Sequence, residues 1–319
     1  MAAQDQPSAY RRSVELLLKL HFLMKEGRGE SDEADQIRDS SEGLWWQMAE
    51  DEKERVRRLS ADLYTLEPDS PIQHPEGGGI LSDEMWIALK DLLRNKDWSG
   101  VLSLLHSEPG QISADFAAYY RGRCWAELGV NAAAIEFLRV AGERRPDFAV
   151  AILQPLLREG RVDDAASLAR QLLPAVDAMI PNSVFLLANY CGLIATKVSR
   201  DERNQWLRQT ATTFERALER ADQHRQTGFE EEAMPGEYTG LGFCYQMLGQ
   251  VEEARAACEK ALQLDPEHPN ALILHGLILE GWPAKEESSE GSKEIERGFW
   301  NALAAQAETL PLYPSMLAT

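Results

Sequence analysis

The sequence has no uninterrupted apolar run of about 20 residues, the length a membrane-spanning helix needs. The stretch after Arg11-Arg12, SVELLLKLHFLM, superficially resembles an export signal, but Glu15, Lys19 and His21 interrupt it and no small-residue cleavage site follows. An amphipathic helix is expected there. Cysteine is scarce: Cys124, Cys191, Cys244 and Cys258 include no C-x-x-C pair and are too sparse for a disulfide scaffold. Free thiols of this kind act as small hydrophobes and point to a reducing, cytoplasmic setting. Basic residues are outnumbered, with 33 Lys and Arg against 52 Asp and Glu, a net charge of -19. Nucleic-acid backbones and anionic membranes would be repelled, so neither is expected as the main partner.

Motifs that carry chemistry are missing as well. There is no H-E-x-x-H, G-x-S-x-G or G-K-S/T, and the six histidines (His21, His74, His106, His224, His268 and His275) are scattered. Pro269 separates His268 from His275, and no cysteine joins them at metal-ligand spacing. Gly77-Gly78-Gly79 lacks the preceding strand of a phosphate loop, and Glu230-Glu231-Glu232 lacks the alternating ligands of a calcium loop. Asp32, Asp35 and Asp39, with Arg28 and Arg38 nearby, read as a charge-balanced helix face. No catalytic residue, metal ligand or cofactor is assigned.

What is present is helical periodicity. The chain has 319 residues, 44% of them hydrophobic, enough for two domains or one elongated array. Residues 1–67 read as a helical N-terminal block. Val14, Leu17, Leu18 and Phe22 form a stripe, Ser31 is a candidate N-cap, and Val56, Leu59, Leu63 and Leu66 face a core. Trp45-Trp46 lie about 100° apart on a helix, which places one in the core and leaves the other for a surface. Three prolines and three consecutive glycines then mark residues 68–81 as a linker.

From residue 82 to 319, helix pairs follow one another without a convincing strand. The sharpest is 235–268. Tyr238, Leu241, Gly242 and Tyr245 share a helix face, Gly249 offers a stop, and Ala254, Ala257, Cys258 and Ala261 give the second helix a small-residue face before Pro266. Gly122, Trp125, Gly129, Ala134, Leu138, Ala141 and Pro146 repeat the offsets of Gly242, Tyr245, Gly249, Ala254, Cys258, Ala261 and Pro266. Ala118 and Arg121 replace Tyr238 and Leu241 in that earlier copy. A pair from Phe148 to Leu173, and a longer one through Phe185 and Gly192 and then Trp206, Phe214 and Ala217, follow less regularly. A last first-helix starts with Leu272, Gly276 and Leu279. An apolar helix through Ile295, Phe299, Trp300 and Leu303 precedes the tail LPLYPSMLAT, which is read as a cap or, alternatively, as an intermolecular motif.

The pattern Tyr238-x2-Leu241-Gly242-x2-Tyr245, then Ala254-x3-Cys258-x2-Ala261-x4-Pro266, resembles the tetratricopeptide repeat. The resemblance implies an all-α, irregular right-handed solenoid of about five helix pairs behind the N-terminal block. It also implies a non-enzymatic adaptor that holds a partner protein or peptide in a groove lined by the first helices. At that groove the offsets place Tyr119 and Arg123 in one unit and Thr239, Phe243 and Gln246 in the other. The alternative is an enzyme or enzyme regulator whose active part lies in the N-terminal block.

Overall fold

A computed structural model describes residues 8–66, 83–143, 145–226, 235–281 and 295–303, and every regular element among them is a helix. The expectations for Gly77 to Gly79, the 68–81 linker, Glu230 to Glu232 and the tail after 303 lie outside the described residues. Two compact units divide the chain, Met1–Ala141 and Gly142–Thr319.

In the first unit α1 (Ala9–Lys25) and α2 (Asp32–Trp45) form a hairpin whose core holds Leu23, Ala34 and Ile37, flanked by Leu16 and Leu20. Ser31 caps α2, its hydroxyl accepting the Ala34 N–H at 3.3 Å, and three acids in the first turn complement the helix dipole. In α3 (Glu50–Tyr64) the Glu52 carboxylate accepts the Ala49 N–H at 3.0 Å, and Val56, Leu59 and Leu63 are buried. Next come α4 (Asp83–Arg94) and α5 (Trp98–Ser107), joined where Lys96 adopts a left-handed φ of 54° and Asp97 accepts the Gly100 N–H at 2.9 Å. Arg58 of α3 donates to the Ser99 carbonyl at 2.8 Å and the Ser103 hydroxyl at 2.7 Å, tying the N-terminal helices to α5.

The unit closes with α6 (Ala114–Glu127) and α7 (Asn131–Gly142). Here Arg121, the residue that replaces an expected leucine, is buried. Its Nε donates to Asp62 of α3 at 3.0 Å and its second nitrogen to the Leu105 carbonyl at 3.3 Å, while the Trp125 indole donates to the other Asp62 oxygen at 3.0 Å. Burial pushes the Asp62 carboxyl up from its usual value, and the Arg121 charge and Trp125 hydrogen bond pull it part of the way back.

The second unit begins with a broken helix. Pro146 opens α8 (Pro146–Ala149), a 3-10 turn follows at Val150–Ile152, and α9 (Leu153–Arg158) restarts with Pro155 in its first turn, where a helix uses no N–H. Together with α10 (Val162–Leu172) it makes the expected third pair. Asp147 accepts the Ile180 N–H at 2.9 Å and so anchors the entry to α11 (Pro181–Ala195). The long α12 (Arg200–Gln226), α13 (Pro235–Met247), α14 (Val251–Leu264) and α15 (Pro269–Leu279) follow, and residues 295–303 form α16.

The two landmark glycines sit where helices cross. A Cβ on Gly122 would fall 2.5 Å from Leu138 and 3.1 Å from the Ala134 carbonyl; one on Gly242 would fall 2.9 Å from Leu274 and 3.1 Å from the Ala254 carbonyl. The cost of glycine inside a helix is offset by this close approach. Gly129 and Gly249 end their helices at φ of 80° and 77°. Two stripes differ from expectation. On α1 Phe22 is exposed, and Val14, Leu18, His21 and Leu23 form the buried face. On α15 the buried face is Ala271, Leu274 and Ile278, whereas Leu272 and Leu279 are 49% and 70% exposed. That helix is apolar nearly all round, so periodicity alone could not choose its inner face.

Candidate protein-binding face

The α13 helix presents two faces. One carries Leu241 and Gly242 into the crossings with α14 and α15, and Tyr245 beside it donates its hydroxyl to Glu215 of α12 at 2.5 Å. The other carries Thr239, Phe243 and Gln246, the residues assigned to partner contact, and all three are buried. Thr239 turns its hydroxyl back onto the Pro235 carbonyl at 2.7 Å. Phe243 is covered by the chain's own C-terminal helix.

That cover is made of aromatic rings. Phe299 of α16 stacks on Phe243 with centroids 3.9 Å apart, and Trp300 meets Phe243 edge-on at 5.3 Å. Trp300 also stacks with Phe214 of α12 at 6.3 Å, and Phe214 in turn leans on Phe185 of α11 at 5.7 Å. A Cβ on Gly192 would lie 2.6 Å from the Trp300 ring, so the absence of a side chain on α11 makes the hollow the indole fills. At the other end of α16, Glu296 accepts a hydrogen bond from Arg203 at 2.6 Å. The helix therefore seats Glu296, Phe299, Trp300 and Leu303, an i, i+3, i+4, i+7 row, and leaves Ile295, Arg297, Gly298, Asn301 and Ala302 outward. Two buried polar atoms of this seat, Trp300 Nε1 and Glu296 Oε1, have no hydrogen-bond partner among the described residues.

Tyr119 and Arg123, in the first unit, form a pair of their own. Arg123 donates to the Tyr119 hydroxyl at 3.1 Å with its guanidinium 6.0 Å from that ring, and Tyr119 meets Tyr120 edge-on at 5.2 Å. Tyr119 is buried and Arg123 half-buried. The repeat offsets put Phe243 at the groove, and the structure buries it in the aromatic stack, so its substitution by alanine removes core packing. Sequence reasoning found the apolar residues of α16 but missed the roles of Gly192 and Arg203, which make the seat; a glycine in the otherwise apolar α11 was the available signal.

The cysteines and His268 serve structural roles. All four cysteines are buried. Burial pushes the Cys191 thiol up to about 12 and that of Cys258 up to about 11, and it raises Cys124 and Cys244 too, so none is a ready thiolate at neutral pH. His268 is no surface histidine: it is buried, and its Nδ1 caps α15 by accepting the Ala271 N–H at 3.2 Å. Among the described residues no three His, Cys, Asp or Glu side chains converge as metal ligands, and no helix is long and apolar enough to cross a membrane. Trp46 is the exposed member of its pair, while Trp45 lies under Arg57, 4.9 Å from the ring.

Residues 236–268 match the family model described as tetratricopeptide repeat. None of the curated proteins matches the chain. A crystal structure of the P58(IPK) TPR domain is similar to it at 14% identity, covering 93% of this chain and 80% of that one, with a TM-score of 0.27. The helix pair α13–α14, with Gly242 in its crossing and Gly249 at its turn, is thus a tetratricopeptide repeat, set in a chain whose regular elements, among the described residues, are all helices.

Proposed function

We propose that this protein is a non-enzymatic adaptor that holds a helical segment of a partner protein against the first helices of its repeats. The observation that carries the reading is the Phe243 stack. The face that the repeat pattern assigns to ligands holds a helix by its apolar row, the way helix-in-groove complexes are built. Tyr119, Arg123, Thr239, Phe243 and Gln246 are the proposed contact set, with Phe243 reached once α16 leaves its seat. Residues 1–67 support the array in this reading, because Asp62 satisfies the Arg121 that α6 would otherwise bury unpaired. A cytoplasmic location and the exclusion of nucleic acid as a partner belong to the same proposal and rest on charge and cysteine usage.

The test is affinity purification of the tagged full chain with cross-linking and mass spectrometry. A protein recovered near stoichiometry, with cross-links to residues 181–303, is the expected result. A chain that recovers no protein while catalysing a reproducible chemical conversion would overturn the adaptor role.

A further inference from the structure

Resting on the adaptor reading, we infer that α16 is a resident ligand of a helix-docking site on α11–α13, and that a partner's amphipathic helix with the same chemistry displaces it. The site has three parts. A hollow at Gly192 takes an indole, the Phe243 ring takes a second aromatic by stacking, and Arg203 meets a carboxylate. Glu296, Phe299, Trp300 and Leu303 fill them from one face of a helix, so the fitting partner presents an acid, aromatics three and four residues later, and an aliphatic residue at the seventh.

The fit is serviceable rather than optimal. Trp300 Nε1 and Glu296 Oε1 are buried without a partner among the described residues, and an unmet polar group subtracts from binding. Gly298 sits exposed within α16, where glycine disfavours helix relative to alanine. What holds it is the seat together with the covalent connection to α15, since a tethered segment acts at an effective concentration on the order of millimolar. A ligand with its own helix propensity, and with no polar atom left unpaired in the seat, would bind better without any change in the receptor. In this arrangement α16 tunes the threshold for capture: weak or mismatched helices are excluded, matched ones enter.

The experiment uses a fluorescent synthetic peptide of residues 293–305, KEIERGFWNALAA, and the full-length protein. F299A/W300A disables the resident helix, and the peptide should then bind at least tenfold tighter than to wild type. Adding R203E to that variant should weaken the peptide about tenfold, and a peptide carrying E296R should recover most of the loss, which a merely structural role for Arg203 would not do. Equal binding to wild type and to a folded F299A/W300A chain would overturn the inference. Should that variant fail to fold, hydrogen exchange of the wild type decides. Saturating peptide should speed exchange at residues 295–303 at least tenfold while 181–195 stay protected, and unchanged exchange there would refute displacement. Wild type should sediment as a monomer; a dimer abolished by F299A/W300A would assign the seat to a second copy and overturn the intramolecular arrangement. Failure of the adaptor reading looks different: the peptide competes as described, yet no cellular protein is recovered by either chain.

Discussion

The two copies of the repeat, α6–α7 and α13–α14, share their glycine crossings and their turns but finish their first helices in opposite ways. At equivalent offsets α6 carries Arg121 and Arg123 where α13 carries Leu241 and Phe243. The first copy closes with an ion pair to Asp62 and an indole hydrogen bond, drawn from the N-terminal helices. The second closes with aromatic rings drawn from the C-terminal helix. In these two hairpins the glycines fix the crossing of the paired helices, and the chemistry of the remaining face follows the segment that packs there. A buried charge demands a specific partner, whereas an apolar face accepts any segment of suitable shape. The first copy is therefore committed to α3, whereas the second has the kind of closure that the exchange proposed above requires.

Removing each closure is the strongest way to break this comparison. Asp62→Ala strands Arg121 and the Trp125 indole in a buried site and should cost about 3–5 kcal/mol in urea unfolding of the full chain. Replacing both members, D62L with R121M, should recover most of that, because the cost lies in the unpaired charge. Phe243→Ala should also cost about 3–5 kcal/mol, since a large core ring is deleted. Here F243L should recover part of the loss, as an apolar closure predicts. If D62A were neutral, the first copy would not depend on the N-terminal helices.

The shared crossings sharpen the comparison from the other side. G122A and G242A should each destabilise by about 1–3 kcal/mol, although alanine is the better helix former, because the new methyl meets a neighbouring carbonyl at 3.1 Å in both copies. A gain in stability from either would show that its helices do not close there. Smaller in energy is the thiol test. With all four cysteines buried and their thiols raised, Ellman's reagent at pH 8 should leave native protein largely unmodified and react fully in denaturant. Fast reaction of Cys244 in the native state would mean that the second copy's first helix is open to solvent.

Much of the architecture was legible in the chain. Glycine at a crossing, glycine at a turn and alanine on the partner helix are local requirements with fixed spacing, so Gly242, Gly249 and Ala254 announce the hairpin directly. The closures were not legible, because they join residues far apart in sequence. Nothing around Arg121 names Asp62, and nothing around Phe243 names Phe299. Phe243 at a groove offset looked like an exposed anchor, and its burial depends on a helix that begins some 50 residues later. Likewise α15 concealed its inner face, because Leu272, Ile273, Leu274 and Leu279 are all apolar and only packing chose Leu274.

The central claim, that the ligand face of the second copy is held by α16, can be measured on the unmodified full chain. Nuclear Overhauser contacts between ring protons of Phe243 and Phe299 are the direct readout, because the centroids lie 3.9 Å apart. Strong contacts between those rings, together with contacts from Trp300 to the Gly192 α-protons, are the predicted result. A Phe243 ring that shows no contact with residues 295–303 would contradict the account.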